Sequence, residues 1–109
     1  MAYTTIAKVR EKNTLWATDP PDANITNFIA HADKKINAIA RTTFTEEQAS
    51  DSIIEGLSTY LAAIDCVAFN VSAFATNADA VATANFLYGM ASENIDLLRD
   101  ERVVNQIKA

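Results

Sequence analysis

Apolar residues recur along most of this chain at spacings of three and four, the period of a helix with one face turned to a core. Near the start, Ile6 and Val9 mark a short helix that Thr4 or Thr5 can cap and that ends by Asn13. Leu15 and Trp16 follow and are expected to anchor the connection against the bundle. The run Asp19-Pro20-Pro21-Asp22 then reads as a loop, with Asp22 or Asn24 placed to cap the next helix. Ile25, Phe28, Ile29, Ala32, Ile36, Ile39 and Ala40 define a second helix from about Ala23 to about Arg41. His31, Asp33, Lys34, Lys35 and Asn37 are assigned to its polar side.

Thr45-Glu46-Glu47-Gln48 has the spacing of a capping box and opens a third helix. Its stripe of Ile53, Ile54, Leu57, Leu61, Ile64 and Ala68, with Tyr60 beside it, carries the helix to about Phe69. Asn77-Ala78-Asp79 offers caps for a fourth, with Val81, Ala84, Tyr88, Ala91, Ile95 and Leu98 as its stripe and Leu87 alongside. The expected fold is all-α: a short N-terminal helix, a small bundle of three longer antiparallel helices, and a flexible C-terminal tail. One domain covers residues 1–109, with the short helix and Pro loop in 1–21, the bundle core in 22–100 and a docking or flexible tail in 101–109.

Composition agrees with helices. Half of the 109 residues are hydrophobic, and Gly56, Gly89, Pro20 and Pro21 are the only backbone breakers, too few for the tight turns of an all-β domain. Cys66 has no cysteine partner and sits among Ile64, Val67 and Ala68, which marks a buried structural thiol. No basic stretch near the start leads into a long apolar run, so no signal peptide is expected. Asp65, Asn70, Asn77 and Asp79 interrupt the most hydrophobic region, Leu57 to Ala91, which argues against a membrane span and for a soluble chain.

The net charge of −5 is unevenly spread. Every cation lies at or before Arg41 or at or after Arg99, leaving Glu46, Glu47, Asp51, Glu55, Asp65, Asp79, Glu93 and Asp96 without a basic neighbour in sequence. Glu46, Glu47, Asp51 and Glu55 form a candidate acidic surface, either simply solvated or steering toward a basic partner. Nucleic-acid binding through this segment is disfavoured, since phosphate contacts need Lys and Arg. Between Glu55 and Glu93 only Asp65 and Asp79 are charged, so the third and fourth helices present small polar faces suited to self-association.

No constellation for chemistry emerges. His31 has only Asn24, Asn27, Lys34 and Lys35 at helical spacing, which is neither a triad nor a metal set. There is no zinc spacing, and two isolated glycines cannot build a phosphate loop. Asp65 is the one carboxylate that looks buried, and a structural hydrogen bond suits it better than acid-base work. Phe69, Phe74, Phe86, Tyr60 and Tyr88 read as core, with Phe74 the best candidate for an exposed anchor on a partner. Val103, Val104 and Ile107 are candidate contacts to a neighbouring subunit. No catalytic residue, metal or cofactor is expected, and the chain does not read as an enzyme.

The opening Ala2-Tyr3-Thr4-Thr5-Ile6-Ala7-Lys8-Val9-Arg10, an acidic Pro-containing loop, and the run from Ile25 to Asn37 together resemble the head-tail connector (adaptor) proteins of tailed bacteriophages. The likeness extends over about the first two-thirds of the chain and is carried by apolar and alanine positions. It implies a structural virion protein of the neck, made in the host cytoplasm. Such a protein would form a homo-oligomeric ring, about twelvefold, between the portal protein and the next neck or tail protein. DNA would pass through the ring without specific binding, along an acidic lining that the middle of the chain would supply, and no membrane would be involved. A tail-completion or neck protein of the same particle is the nearest alternative. A cytoplasmic acidic helical regulator of a basic protein is the alternative from another class.

Overall fold

A computed structural model describes residues 2–12, 20–69 and 77–109. Among these residues there is no strand, and six helices follow one another: α1 (Ile6–Arg10), α2 (Asp22–Ala40), α3 (Glu46–Ala49), α4 (Ser52–Phe69), α5 (Asn77–Arg99) and α6 (Glu101–Lys108). The fold is all-helical, as the spacing predicts. The bundle is α2, α4 and α5, with α4 in the middle against both others. Ile25 and Ile29 at the start of α2 meet Ala62, Ala63 and Cys66 late in α4 and Leu87 in α5. Ile36 at the other end of α2 meets Ile54 and Leu57 early in α4, and Ala91 and Leu98 late in α5. The order of those contacts makes α4 antiparallel to both neighbours. Leu15, Trp16, Val71 and Phe74 lie outside the described residues.

Local signals account for most helix ends. Thr5, not Thr4, caps α1, its hydroxyl accepting from the Lys8 N–H. Instead of a side-chain cap from Asp22 or Asn24, α2 starts directly after Pro21, whose carbonyl accepts from Asn24 and Ile25. It stops at Arg41, whose φ of 59° is left-handed, the conformation that usually ends a helix with glycine. The capping box is present: the Thr45 hydroxyl accepts from Gln48 N–H at 3.3 Å, and Gln48 Oε1 accepts from Thr45 N–H at 3.0 Å.

The third helix expected from the spacing is two helices. After four residues α3 ends at Ser50, and Asp51 caps α4 through its carboxylate, accepting from Ile53 N–H at 2.9 Å. Ser50-Asp51 interrupts the helix with polar capping chemistry, so no glycine or proline marks the break.

α4 is the one helix among the described residues long and apolar enough by composition to cross a bilayer, which the expectation of an interrupted apolar region had set aside. Its central position in the bundle accounts for that composition. The inward residues of α4 are mostly small: Ser58, Thr59, Ala62, Ala63 and Cys66 are buried, whereas Leu61 and Ile64 are half-buried and Ala68 is exposed. α5 follows the same logic, approaching α4 through Ala80, Leu87, Ala91 and Leu98. Gly56 marks a close crossing, where a Cβ would lie 3.3 Å from Asn94 Nδ2.

The C-terminal tail is helical. Asp100 caps α6, accepting from Arg102 N–H at 2.9 Å, and Val104 is buried in the chain's own core with Ile107 packed beside it. Gln48 Nε2 donates to the Lys108 carbonyl and Lys108 Nζ to the Thr43 carbonyl, fastening α6 to the turn before α3.

Candidate docking surface

Packing α5 through its small residues turns its large ones outward. Val81 is 57 % exposed, Phe86 67 %, Tyr88 61 %, Leu97 42 % and Met90 36 %, with Phe69 at the end of α4 half exposed. Val81, Phe86 and Tyr88, together with Phe69, are thus not core, contrary to the spacing argument. The inward stripe is displaced by one position, to Ala80 and Leu87, because alanines at 80 and 91 let the α5 backbone approach α4 closely. From Ala80 to Ser92 the helix carries no charge. The exposed apolar residues flank the inward stripe on two sides, Phe86, Met90 and Leu97 on one and Val81 and Tyr88 on the other, with Asp79 near one end of the helix and Glu93, Asp96 and Arg99 near the other. Gly89 lies in its middle, and a Cβ there would meet nothing within 4 Å.

The residues expected to contact a neighbour at the C-terminus are otherwise employed. Val104 is 7 % exposed and Ile107 half-buried, both against this chain's own core, and Val103 is half-buried. The tail docks, but on its own bundle. Phe74 lies outside the described residues.

The acidic candidates come together at the α3–α4 end, and each has a local task there. Glu46 and Glu47 occupy the first turn of α3, where the helix dipole favours a negative charge. Asp51 caps α4, and Glu55 pairs with Lys8 at 2.8 Å, a basic partner that sequence proximity did not show. Glu46, Glu47 and Asp51 are exposed and Glu55 is half-buried.

Among the described residues the buried carboxylate is Asp33, not Asp65. Asp65 is half-buried and lies 3.7 Å from His31 Nδ1, whereas Asp33 is 8 % exposed. Asp33 Oδ1 accepts from the Ser58 hydroxyl at 2.7 Å and Oδ2 from the Tyr3 N–H at 3.0 Å. Nearby, Thr59 Oγ1 donates to the Glu55 carbonyl, so in its 2.6 Å contact with Thr4 Oγ1 the Thr4 hydroxyl is the donor. The Tyr3 hydroxyl donates to Asn37 Oδ1 at 2.7 Å and accepts from Phe44 N–H at 3.0 Å. The network ties residues 3–4 to α2 and α4. Burial raises the Asp33 pKa above the usual carboxylate value, opposed by the hydrogen bonds from Ser58 and Tyr3. Spacing held the signal, since Asp33 stands four residues after Ile29 and three before Ile36, on the apolar face.

Cys66 is buried as expected, and desolvation with the adjacent Asp65 charge pushes its thiol up to about 12, far from a reactive thiolate. Among the described residues no group of three or more His, Cys, Asp or Glu side chains is placed to hold a metal ion. Compared with known proteins, the chain matches no protein-family model, no curated protein and no solved structure.

Proposed function

We propose that this chain is a structural adaptor acting by protein–protein docking: a head-tail connector of a tailed bacteriophage. In this reading copies of it form a ring below the portal and hand the DNA channel on to the next neck or tail protein. The observation that carries the docking role is α5, a long helix whose uncharged stretch holds Phe86 and Tyr88 more than half exposed. Isolated in water, such a face is an aggregation liability; covered by a partner it is an interface. The virion setting rests on the likeness of residues 2–10 and 25–37 to connector sequences. The acidic surface adds little to it, because Glu46, Glu47, Asp51 and Glu55 already serve helix ends and an ion pair.

Mixing the purified chain with purified portal protein, followed by negative-stain microscopy, tests the reading. Rings of the chain seated on portal are the expected result. A chain that remains monomeric and leaves portal undecorated overturns it and favours a regulator of some other protein.

A further inference from the structure

A cleft of about 420 Å³ opens between the N-terminal segment and the side of α2. Ile6, Ile29 and Ala30 give it apolar walls, and Thr5 and Thr26 add hydroxyl-bearing side chains. Among the described residues that line it, Asp33 alone is ionisable, and it is 8 % exposed. Each oxygen of that carboxylate accepts one hydrogen bond from this chain, Oδ1 from Ser58 and Oδ2 from Tyr3 N–H, which leaves acceptor capacity on both. No Lys, Arg or His side chain among the described residues pairs with it. The charge of the amino terminus is the weakest influence on it, and burial still holds its pKa above the usual carboxylate value. Lys8 is paired with Glu55, and Lys34, one turn beyond Ala30, is exposed and outside the lining. A carboxylate taken out of water without a counter-charge is costly, and the cleft is an opening through which a counter-charge can reach it.

We propose that this cleft binds a primary alkylammonium group, with the ammonium on the Asp33 carboxylate and the carbon chain along Ile6, Ile29 and Ala30. Each part of such a ligand answers a feature of the site. An ammonium brings a positive charge and three donors, matching the unbalanced charge and the remaining acceptor capacity of Asp33. A metal ion needs several oxygen ligands, and a single carboxylate with no second acid in the lining does not supply them. A carboxylate or phosphate would meet Asp33 as a like charge. A neutral alkyl group would gain the walls and leave the charge as it is. The volume lies in the usual range of small-molecule sites, roughly 300–1,000 Å³. The site does not depend on the adaptor reading, because it uses only this segment, α2 and the Ser58 hydroxyl of α4. The same group can arrive on a free amine or as a lysine side chain of another protein.

Titrating the isotope-labelled full chain with n-butylammonium, followed by amide chemical shifts, tests it. Saturable shifts at Thr4, Thr5 and Ala30 are expected, with a Kd of about 1 mM for a ligand this small. n-Butanol and butyrate should bind about tenfold more weakly or worse, the first lacking the charge and the second carrying the wrong one. Asp33→Asn should weaken n-butylammonium binding about tenfold or more. Because that change also disturbs the hydrogen bonds from Ser58 and Tyr3, Ala30→Phe is the second variant. It fills the cleft from an exposed helix position and touches none of those bonds, so it should keep the melting temperature and still weaken binding about tenfold. No saturable shift up to about 100 mM overturns the inference. So does n-butanol binding as well as n-butylammonium, or binding that a folded Ala30→Phe retains in full. Nα-acetyl-lysine amide tells the two sources apart: binding tighter than that of n-butylammonium puts the ammonium on a protein, and weaker binding puts it on a free amine.

Discussion

The N-terminal segment and α5 both depart from the rule of apolar inside and polar outside, and they depart in opposite directions. Around Tyr3 and Asp33 polar groups are buried, and each finds its partner within the chain. Along α5 large apolar groups are exposed, and among the described residues none covers them. The first exception closes on itself and serves the fold, fixing residues 3–4 on α2 and α4. The second is left open and points outward. On the proposed docking role, the difference separates residues whose loss should unfold the protein from residues whose loss should leave a folded protein unable to dock.

The largest effect should come from neighbours in sequence that stand on opposite sides of that divide. Leu87 is 2 % exposed, and Leu87→Ala should cost about 2–5 kcal/mol in urea unfolding, whereas Phe86→Ala should fall within about 0.5 kcal/mol of the wild type. Equal losses at the two positions would break the distinction. Asp33→Ala should come next, at about 2–4 kcal/mol, because it strands the Ser58 hydroxyl and the Tyr3 N–H as buried donors.

Smaller effects sharpen the picture. At Arg41 glycine should relieve the left-handed backbone and stabilise the fold by up to about 1 kcal/mol, read in urea unfolding against the wild type.

The pH dependence of stability should also divide. Asp33 has a folded pKa above its unfolded value, so the native state binds the extra proton and its contribution falls as pH rises through that window, from the ordinary carboxylate value of about 3.9 upward. Asp100, held low by Arg102, contributes stability above the ordinary value and loses it on acidification. Thermal melts from pH 3 to pH 7 of Asp33→Asn and Asp100→Asn against the wild type should show slopes changed in opposite senses, the Asp100 effect being the smaller because that side chain is exposed.

Reading the sequence worked where a single physical signal acts alone. The extents of α2 and α5 follow from three-four spacing, and the start of α3 follows from its capping box. It failed where signals compete. Asp51 is a helix cap inside an unbroken apolar period, so α3 and α4 read as one. Asp33 sits on the apolar face but next to Lys34 and Lys35, and the charges outweighed the spacing. On α5 the large side chains drew the stripe toward Val81 and Tyr88, although close packing against α4 favours small residues. Exposure of Phe86 is a tertiary outcome of that choice and has no local mark. The exposed apolar surface of α5 was partly legible: the scarcity of charge between Glu55 and Glu93, only Asp65 and Asp79, pointed to these helices, while their aromatic residues were assigned to the core.

The central claim is that the apolar face of α5 is made for contact and contributes nothing to folding. Sedimentation velocity of Phe86→Asp beside the wild type, with thermal melts of both, tests it most directly. The account predicts an unchanged melting temperature, oligomers for the wild type and a monomer for the variant. A variant that unfolds as Leu87→Ala does, or one that assembles as well as the wild type, would contradict it.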